Sequence, residues 1–403
     1  MSSLKKAWRV LSEQGFAALG RRLLARVFGE KPIGPLVRYD DARDVDWSTP
    51  HPAVADPMKI GEGPYTIAWI MSPPGEASGG HQNIFRFISF LEGAGHRIRV
   101  YLYSAERKYS SGEVSAMIRG SSSYPHVAAS IEDLPADGLP DDLDAIVATG
   151  WETAYPSFKD ASPARRYYFV QDYEPSFYPV GSESVLAENT YRFGFRGITA
   201  GGWLATRLHD EFGMVTDSFD FGSDARNYHV TNTERRTEVF FYARPATERR
   251  GYELGVMALD LFAAARPEAT ISLVGGDTRH SVVPFPHQNL RGLRVSQLNE
   301  VYNRCAVGLV LSLTNLSLLP LELLGAGVIP VVNDGPNNRG VSDNPFIEFT
   351  PASPRALADR MIELYDRADL PDHALAASKS VSSVGWEASG ARFVSDFERS
   401  MRA

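Results

Sequence analysis

SLTNLSLLPLELLGAGVIPVV, residues 312–332, reads as a strand end, a loop, a two-turn helix and a second buried strand. The apolar runs VGLVLS before it and VIPVV within it are short and bounded by Gly and Pro, which is the pattern of buried strands. Pro320 suits the first helical position, where a missing N–H costs nothing, and Gly325 with Gly327 ends the helix and turns the chain back into the sheet. Glu322 therefore falls in the first turn, where free backbone amides and the helix dipole create a small positive field. An anion is held best in such a loop. Thr314, Asn315, Ser317, Leu318, Leu319 and Glu322 are its candidate ligand contacts.

The run T-N-L-S-L-L-P-L-E-L-L-G-A-G resembles the donor-site motif of family-4 (group 1) glycosyltransferases, an E-x7-E pattern followed by a small-residue-rich helix and Gly. Glu322 matches the second acid, which by this resemblance receives the ribose hydroxyls of a sugar nucleotide, a task for an acceptor with two oxygens. Thr314 stands where the first acid belongs. In that departure, and in its Ser/Thr/Asn-rich loop, the chain is similar to the WsaF-like rhamnosyltransferases. Taken in isolation, Glu322 reads first as a helix-start acid balancing its own dipole.

At 403 residues the chain is long for one core and comfortable for two. No apolar run approaches the roughly 18–20 residues that span a bilayer. A single cysteine, Cys305, forms no internal disulfide or cysteine-based metal site and reads as a core residue. With no secretory pattern at its start, the expected compartment is the cytosol. A net charge of −8 argues against nucleic-acid binding through the whole surface. Residues 1–38 differ, with Lys5, Lys6, Arg9, Arg21, Arg22, Arg26, Lys31 and Arg38 against Glu13 and Glu30, and apolar residues at helical spacing. One reading is a basic amphipathic helix lying peripherally on an anionic membrane. The other is a helix packing on the protein or on a second subunit in a homodimer.

Residues 1–60 form this extension and a covering loop, and 61–215 the first domain. YTIAWIM (65–71) is a buried strand, and its exit, SPPGEASGGHQNIF, leads into a helix over Gln82–Ala94. This is the strand–loop–helix entry of a doubly wound α/β domain, with Gly79 and Gly80 allowing close approach of a ligand. A tight turn without a ligand is the alternative. His81 reads as an acceptor contact or as a surface cap of the helix. No G-x-G-x-x-G and no G-x-x-x-x-G-K-[ST] occurs, which disfavours nicotinamide and P-loop chemistry. Strands follow at HRIRVYLY (96–103), DLDAIVATGW (142–151), RRYYFVQDYEP (165–175) and RGITAGG (196–202), giving a mostly parallel sheet. Gln171, Asp172 and Glu174 cluster at a carboxyl strand end, where open α/β sheets bind ligands. The WsaF-like resemblance extends to QDYEP, so these three are expected at the acceptor, with Asp172 orienting its hydroxyl or taking its proton. Solvated loop acids are the alternative.

Residues 216–236 read as a connector, 237–384 as the second domain, and 385–403 as a helix that the resemblance returns to the first domain. After EVFFYARP, Arg244 and Arg250 resemble the family's G-R…K-G element, in which two cations approach the donor diphosphate; Arg250 replaces the usual Lys. ATISLVGGD (269–277) matches the strand before the base-binding loop and places Gly275 at the donor.

The resemblance implies a GT-B fold, two Rossmann-like doubly wound domains across a cleft, with acceptor on the first and donor on the second. It implies transfer of L-rhamnose from dTDP-L-rhamnose, with retention, to a glycan or lipid-linked glycan of a bacterial surface polysaccharide. No cofactor beyond the nucleotide-sugar co-substrate is implied, and no metal; the chain shows no H-E-x-x-H or cysteine cluster. Arg244, Arg250 and helix-terminal amides would neutralise the diphosphate. A GT-B-type sugar-nucleotide epimerase and a non-catalytic glycan- or nucleotide-sugar-binding protein remain open.

Overall fold

The computed structural model describes residues 36–75, 78–105 and 109–403; the basic segment read at 1–38 falls almost entirely outside them. Two parallel sheets dominate. The first holds β1 (Thr66–Met71), β2 (Arg97–Leu102), β3 (Ser130–Asp133), β4 (Ala145–Ala148), β5 (Arg165–Val170), β6 (Arg196–Ala200) and β7 (Thr216–Phe219), in the order β3-β2-β1-β4-β5-β6-β7. The second holds β8 (Glu238–Ala243), β9 (Thr270–Gly275), β10 (Gln288–Leu290), β11 (Cys305–Val310), β12 (Ile329–Asn333) and β13 (Glu348–Thr350), in the order β10-β9-β8-β11-β12-β13. All pairings are parallel. Strands such as AIVA and CAVGLV are buried along their whole length because helices cover both faces, so they read as continuous apolar runs. The strand order reverses between β1 and β4 in one sheet and between β8 and β11 in the other. Each reversal opens a crevice at the carboxyl strand ends, and the two crevices face each other. This is the two-domain α/β architecture expected from the sequence.

Several boundaries move. The helix expected over Gln82–Ala94 begins at Gly79 and ends at Gly93, because Ser78 caps it by accepting from the His81 N–H. In the motif helix Leu319–Gly325, Pro320 is the second residue rather than the first. The expected strand at 142–151 is only Ala145–Ala148, and Trp151 already starts a helix, Trp151–Lys159. The connector expected at 216–236 begins with β7: TDSF has one apolar residue and reads as a loop, yet it pairs with β6 and buries Phe219 against Phe87 and Phe169.

The terminal helix Trp386–Arg402 lies on the first domain. Its Gly390 sits where a Cβ would stand 2.5 Å from the Phe90 ring, and Phe393 packs 4.8 Å from Phe87. Burial of its apolar stripe, Trp386, Phe393, Phe397 and Met401, fixes the helix there.

Candidate active site

A cleft of about 920 Å³ separates the two sheets and is lined from both. From the second domain come the residues following β8 and β11. Gly251, with φ 57°, ends the turn after β8 and starts helix Tyr252–Ala265, and the three cations of that turn, Arg244, Arg249 and Arg250, line the cleft together. Arg244 is exposed to the cleft, lies 5.7 Å from the Tyr242 ring centre, and has no carboxylate partner among the described residues. Arg250 donates through Nη1 to Ser312 Oγ at 2.9 Å and also has no carboxylate partner among them. Gly275, with φ 116°, lets the exit of β9 pass the same place, since a Cβ there would stand 3.3 Å from Arg244 Cδ.

The 312–315 loop is held rigidly. Asn333 donates to Ser312 O and accepts from Ser312 N, both at 2.8 Å; Asn338 donates to Ser312 O at 3.0 Å, and Asn337 to Thr314 O. Beyond it, Ser317 and Leu318 line the cleft and their N–H groups have no protein acceptor among the described residues, whereas Leu321 N–H donates to Leu318 O and Pro320 has none. Two free amides thus stand with Arg244 and Arg250 around one space.

Glu322 lies deeper. It is enclosed except toward the cleft, and burial pushes its carboxyl up to about 7; a hydrogen bond from Tyr228 and the charge of Arg86 offset part of this. Arg86 belongs to helix Gly79–Gly93 and stacks 3.9 Å over Trp386, so the first domain contributes a charge to a second-domain acid. Phe240, Val274, Leu298 and Tyr302 continue the wall as an apolar recess.

The residues expected at the acceptor are arranged otherwise. Asp172 is 8% exposed, and its carboxylate is fully engaged: Oδ1 accepts from Tyr173 N at 2.9 Å and Asn315 N at 2.7 Å, while Oδ2 accepts from Thr314 Oγ at 2.9 Å and pairs with Arg249 Nε at 3.4 Å. It ties one domain to the other, its two oxygens taken up by three hydrogen bonds and the Arg249 ion pair. Thr314 and Asn315 belong to the same tie, Asn315 donating through Nδ2 to Gln171 O at 3.0 Å and Ala200 O at 2.9 Å. Gln171 spends its side chain on Gly80 O and on Asn83 Nδ2. His81 is likewise used: Nε2–H donates to Ser72 O and Nδ1 accepts from Ser78 Oγ, both at 2.8 Å, and burial lowers its pKa, so it is a neutral brace between the capping Ser78 and the exit of β1. Glu174 is no solvated acid: it is 5% exposed and accepts from Trp151 N at 2.6 Å. Gly79 has open space around it and Gly80 adjoins the Gln171 amide.

Sequence reasoning missed Arg249, the three asparagines bracing the loop, and Glu152. The Arg249-Arg250 doublet was visible, but nothing local told which side chain turns toward the other domain. Glu152 follows β4 in the first turn of helix Trp151–Lys159, lines the cleft, and has its carboxyl raised by burial. Glu174, beside it, is raised well above the ordinary carboxylate range by burial first and then by the charge of Glu152. Among the described residues no group of three His, Cys, Asp or Glu side chains is arranged to hold a metal ion, and no helix is long and apolar enough to cross a membrane.

Comparison with known proteins agrees with this fold. Residues 140–200 match the WsaF N-terminal domain family and 237–362 the WsaF C-terminal domain family. The O-antigen biosynthesis protein RfbC of Myxococcus xanthus is 32% identical over 336 residues, covering 80% of this chain and 26% of that protein, so the chain spans about a quarter of its relative's length. The crystal structure of Anabaena HepE in complex with UDP and glucose superimposes with a TM-score of 0.62 at 13% identity, over 83% of this chain and 100% of that one. WaaG, a glycosyltransferase involved in lipopolysaccharide biosynthesis, gives a TM-score of 0.58 at 12% identity, over 81% and 98%. At such identities the likeness carries the fold alone.

Proposed function

We propose that this chain, a WsaF-like GT-B glycosyltransferase, transfers L-rhamnose from dTDP-L-rhamnose to a hydroxyl of a bacterial surface polysaccharide. The observation that carries the reading is the pair of cations, Arg244 and Arg250, without carboxylate partners among the described residues, beside the Ser317 and Leu318 amides, which have no protein acceptor among them, on the lining of the interdomain cleft. Cations and amides left unpaired in a cleft are suited to a diphosphate, and they stabilise the charge that grows on it as the sugar departs. Glu322, one recess further in, is suited to accept the free hydroxyl of the thymidine deoxyribose, and the apolar wall of Phe240 and Tyr302 suits the base. The surface-polysaccharide acceptor is supported by the name of the Myxococcus relative.

In this reading the bond between the anomeric carbon and the diphosphate oxygen breaks while the acceptor oxygen bonds to the same carbon on the same face. The acceptor proton passes to the departing diphosphate, giving retention. Asp172, engaged by Tyr173 of its own domain and by Thr314, Asn315 and Arg249 of the other, does not serve as the base in this reading; it holds the donor loop against the first domain. Two arginines and two amides supply the positive charge, so the reaction is expected to proceed with chelator present.

Incubation with dTDP-L-rhamnose and, separately, UDP-glucose, with and without surface-polysaccharide fragments and EDTA, tests this. Acceptor-dependent release of dTDP with a deoxyhexose mass increment on the glycan is expected. An isomerised donor formed without acceptor would make the protein an epimerase. Binding of donor with no nucleotide release under any condition would make it a binding protein.

A further inference from the structure

The cleft holds four acids, and three of them are already occupied. Asp172 receives Tyr173 N, Asn315 N and Thr314 Oγ, Glu174 receives the Trp151 N–H, and Glu322 receives Tyr228. Glu152 is the exception: among the described residues no other side chain hydrogen-bonds its carboxylate, which is balanced only by its own backbone N–H. Its position is well defined. The carboxylate folds back over Gly150, where an added Cβ would stand 2.8 Å from Oε2 and 3.0 Å from Oε1. It lies at the carboxyl end of β4, next to the point where the first sheet reverses its strand order, on the cleft wall opposite the arginines. Phe177, which carries the Arg249 guanidinium at 3.9 Å, and Tyr178, whose hydroxyl accepts from Trp151 Nε1 at 2.9 Å, line the same cleft.

A carboxylate without a protein partner, enclosed beside aromatic side chains, is suited to receiving vicinal hydroxyls, because each oxygen can accept one of them while a ring packs on the sugar face. A solvated surface acid would need no such enclosure, and a structural one would have a donor from the protein. We infer that Glu152 is the anchor for the acceptor sugar, accepting its hydroxyls on the first-domain wall. This rests on the transferase reading and deepens it: the acceptor class it selects is a neutral glycan presenting two adjacent free hydroxyls, and a second carboxylate or phosphate on that residue is repelled. Glu152 does not take the reacting proton in this scheme, so it is a positioning residue whose loss acts on acceptor binding before it acts on turnover.

The test measures binding to the full chain by titration calorimetry, in two steps. The first measures dTDP and UDP on the wild type, Glu152→Gln and Gly150→Ala. The second measures L-rhamnose, D-glucose and D-galactose in the presence of saturating nucleotide. Gly150 has an extended backbone, φ −161°, so alanine is tolerated there while its methyl displaces the carboxylate. The inference expects unchanged nucleotide affinity in all three proteins, and binding of at least one sugar that both variants weaken by about tenfold or more, the loss of a charged hydrogen bond. Equal sugar affinity in Glu152→Gln and wild type, or no sugar bound by a wild type that binds nucleotide, overturns the anchor while leaving the transferase reading intact. Failure of the wild type to bind either nucleotide overturns both.

Discussion

Replacing Asp172 by alanine removes one acceptor from four donors at the junction of the two domains. The Asn315 N–H, at 2.7 Å, is buried and has nowhere else to turn; an orphaned buried donor of this kind costs roughly 1–3 kcal/mol. The Thr314 hydroxyl can rotate toward another acceptor, so its loss is smaller. Arg249 keeps its stack on Phe177 and partial contact with water, which limits the penalty of the unpaired charge. Together these give about 3–5 kcal/mol, in the range for breaking one side of a buried ion pair. Asp172→Asn should cost less, about 1–2 kcal/mol: the amide oxygen can keep the two backbone N–H groups now on Oδ1, while its NH2 faces Arg249 unfavourably. Urea unfolding, followed both by tryptophan fluorescence and by far-ultraviolet circular dichroism, measures these differences. Because the carboxylate joins two domains, the alanine variant should also separate the two transitions, which coincide when the domains unfold as one unit. A Thr314→Val partner completes a double-mutant cycle, with an expected coupling of about 0.5–1.5 kcal/mol. An alanine variant within about 0.5 kcal/mol of wild type, unfolding in a single transition, would refute the tie.

Arg244→Ala should reduce transfer by about a hundredfold or more while leaving the melting temperature unchanged, because the side chain is exposed and has no carboxylate partner among the described residues; steady-state kinetics and a thermal melt check the two halves. Glu322, whose pKa is raised to about 7, retains its proton in the folded state between its ordinary value of 4.5 and about 7, so stability falls as pH rises across that window, by roughly 1–3 kcal/mol given its partial opening to the cleft. Glu322→Gln should flatten that slope in urea titrations at pH 5 and pH 8. Hydroxyl-accepting anions form as the same proton leaves, so nucleotide affinity should rise with pH through about 7 in the wild type and stay level in Glu322→Gln. Gly390→Ala drives a methyl into the Phe90 ring and should cost about 1–3 kcal/mol in urea unfolding by loosening the terminal helix.

Much of the fold was legible because both sheets are buried on both faces: IAWIM, YYFV and CAVGLV are continuous buried runs, and the Gly-bounded turns between them mark the crossovers. β7 was hidden because an edge strand needs little apolar character, and only Phe219 of TDSF enters the core. At the site, Arg244, Arg250 and Glu322 could be read because motif order along the chain places them on one wall. Asp172 could not, since its partners Thr314 and Asn315 lie more than 140 residues away and no local pattern records a contact across domains. Glu152 was overlooked for a related reason. A first-turn glutamate is so common at helix starts that only the enclosure by Glu174 and the opposite domain distinguishes it.

The central claim is that a nucleoside diphosphate rests on the second domain between the arginine mouth and Glu322. A crystal structure of the chain with dTDP bound tests it most directly. The account predicts phosphate oxygens within hydrogen-bond distance of Arg244, Arg250 and the Ser317 or Leu318 amide, with the sugar hydroxyl of the nucleoside on the Glu322 carboxylate. A diphosphate bound on the first-domain wall, or one placed in the cleft with Arg244 and Glu322 both out of reach, would contradict it.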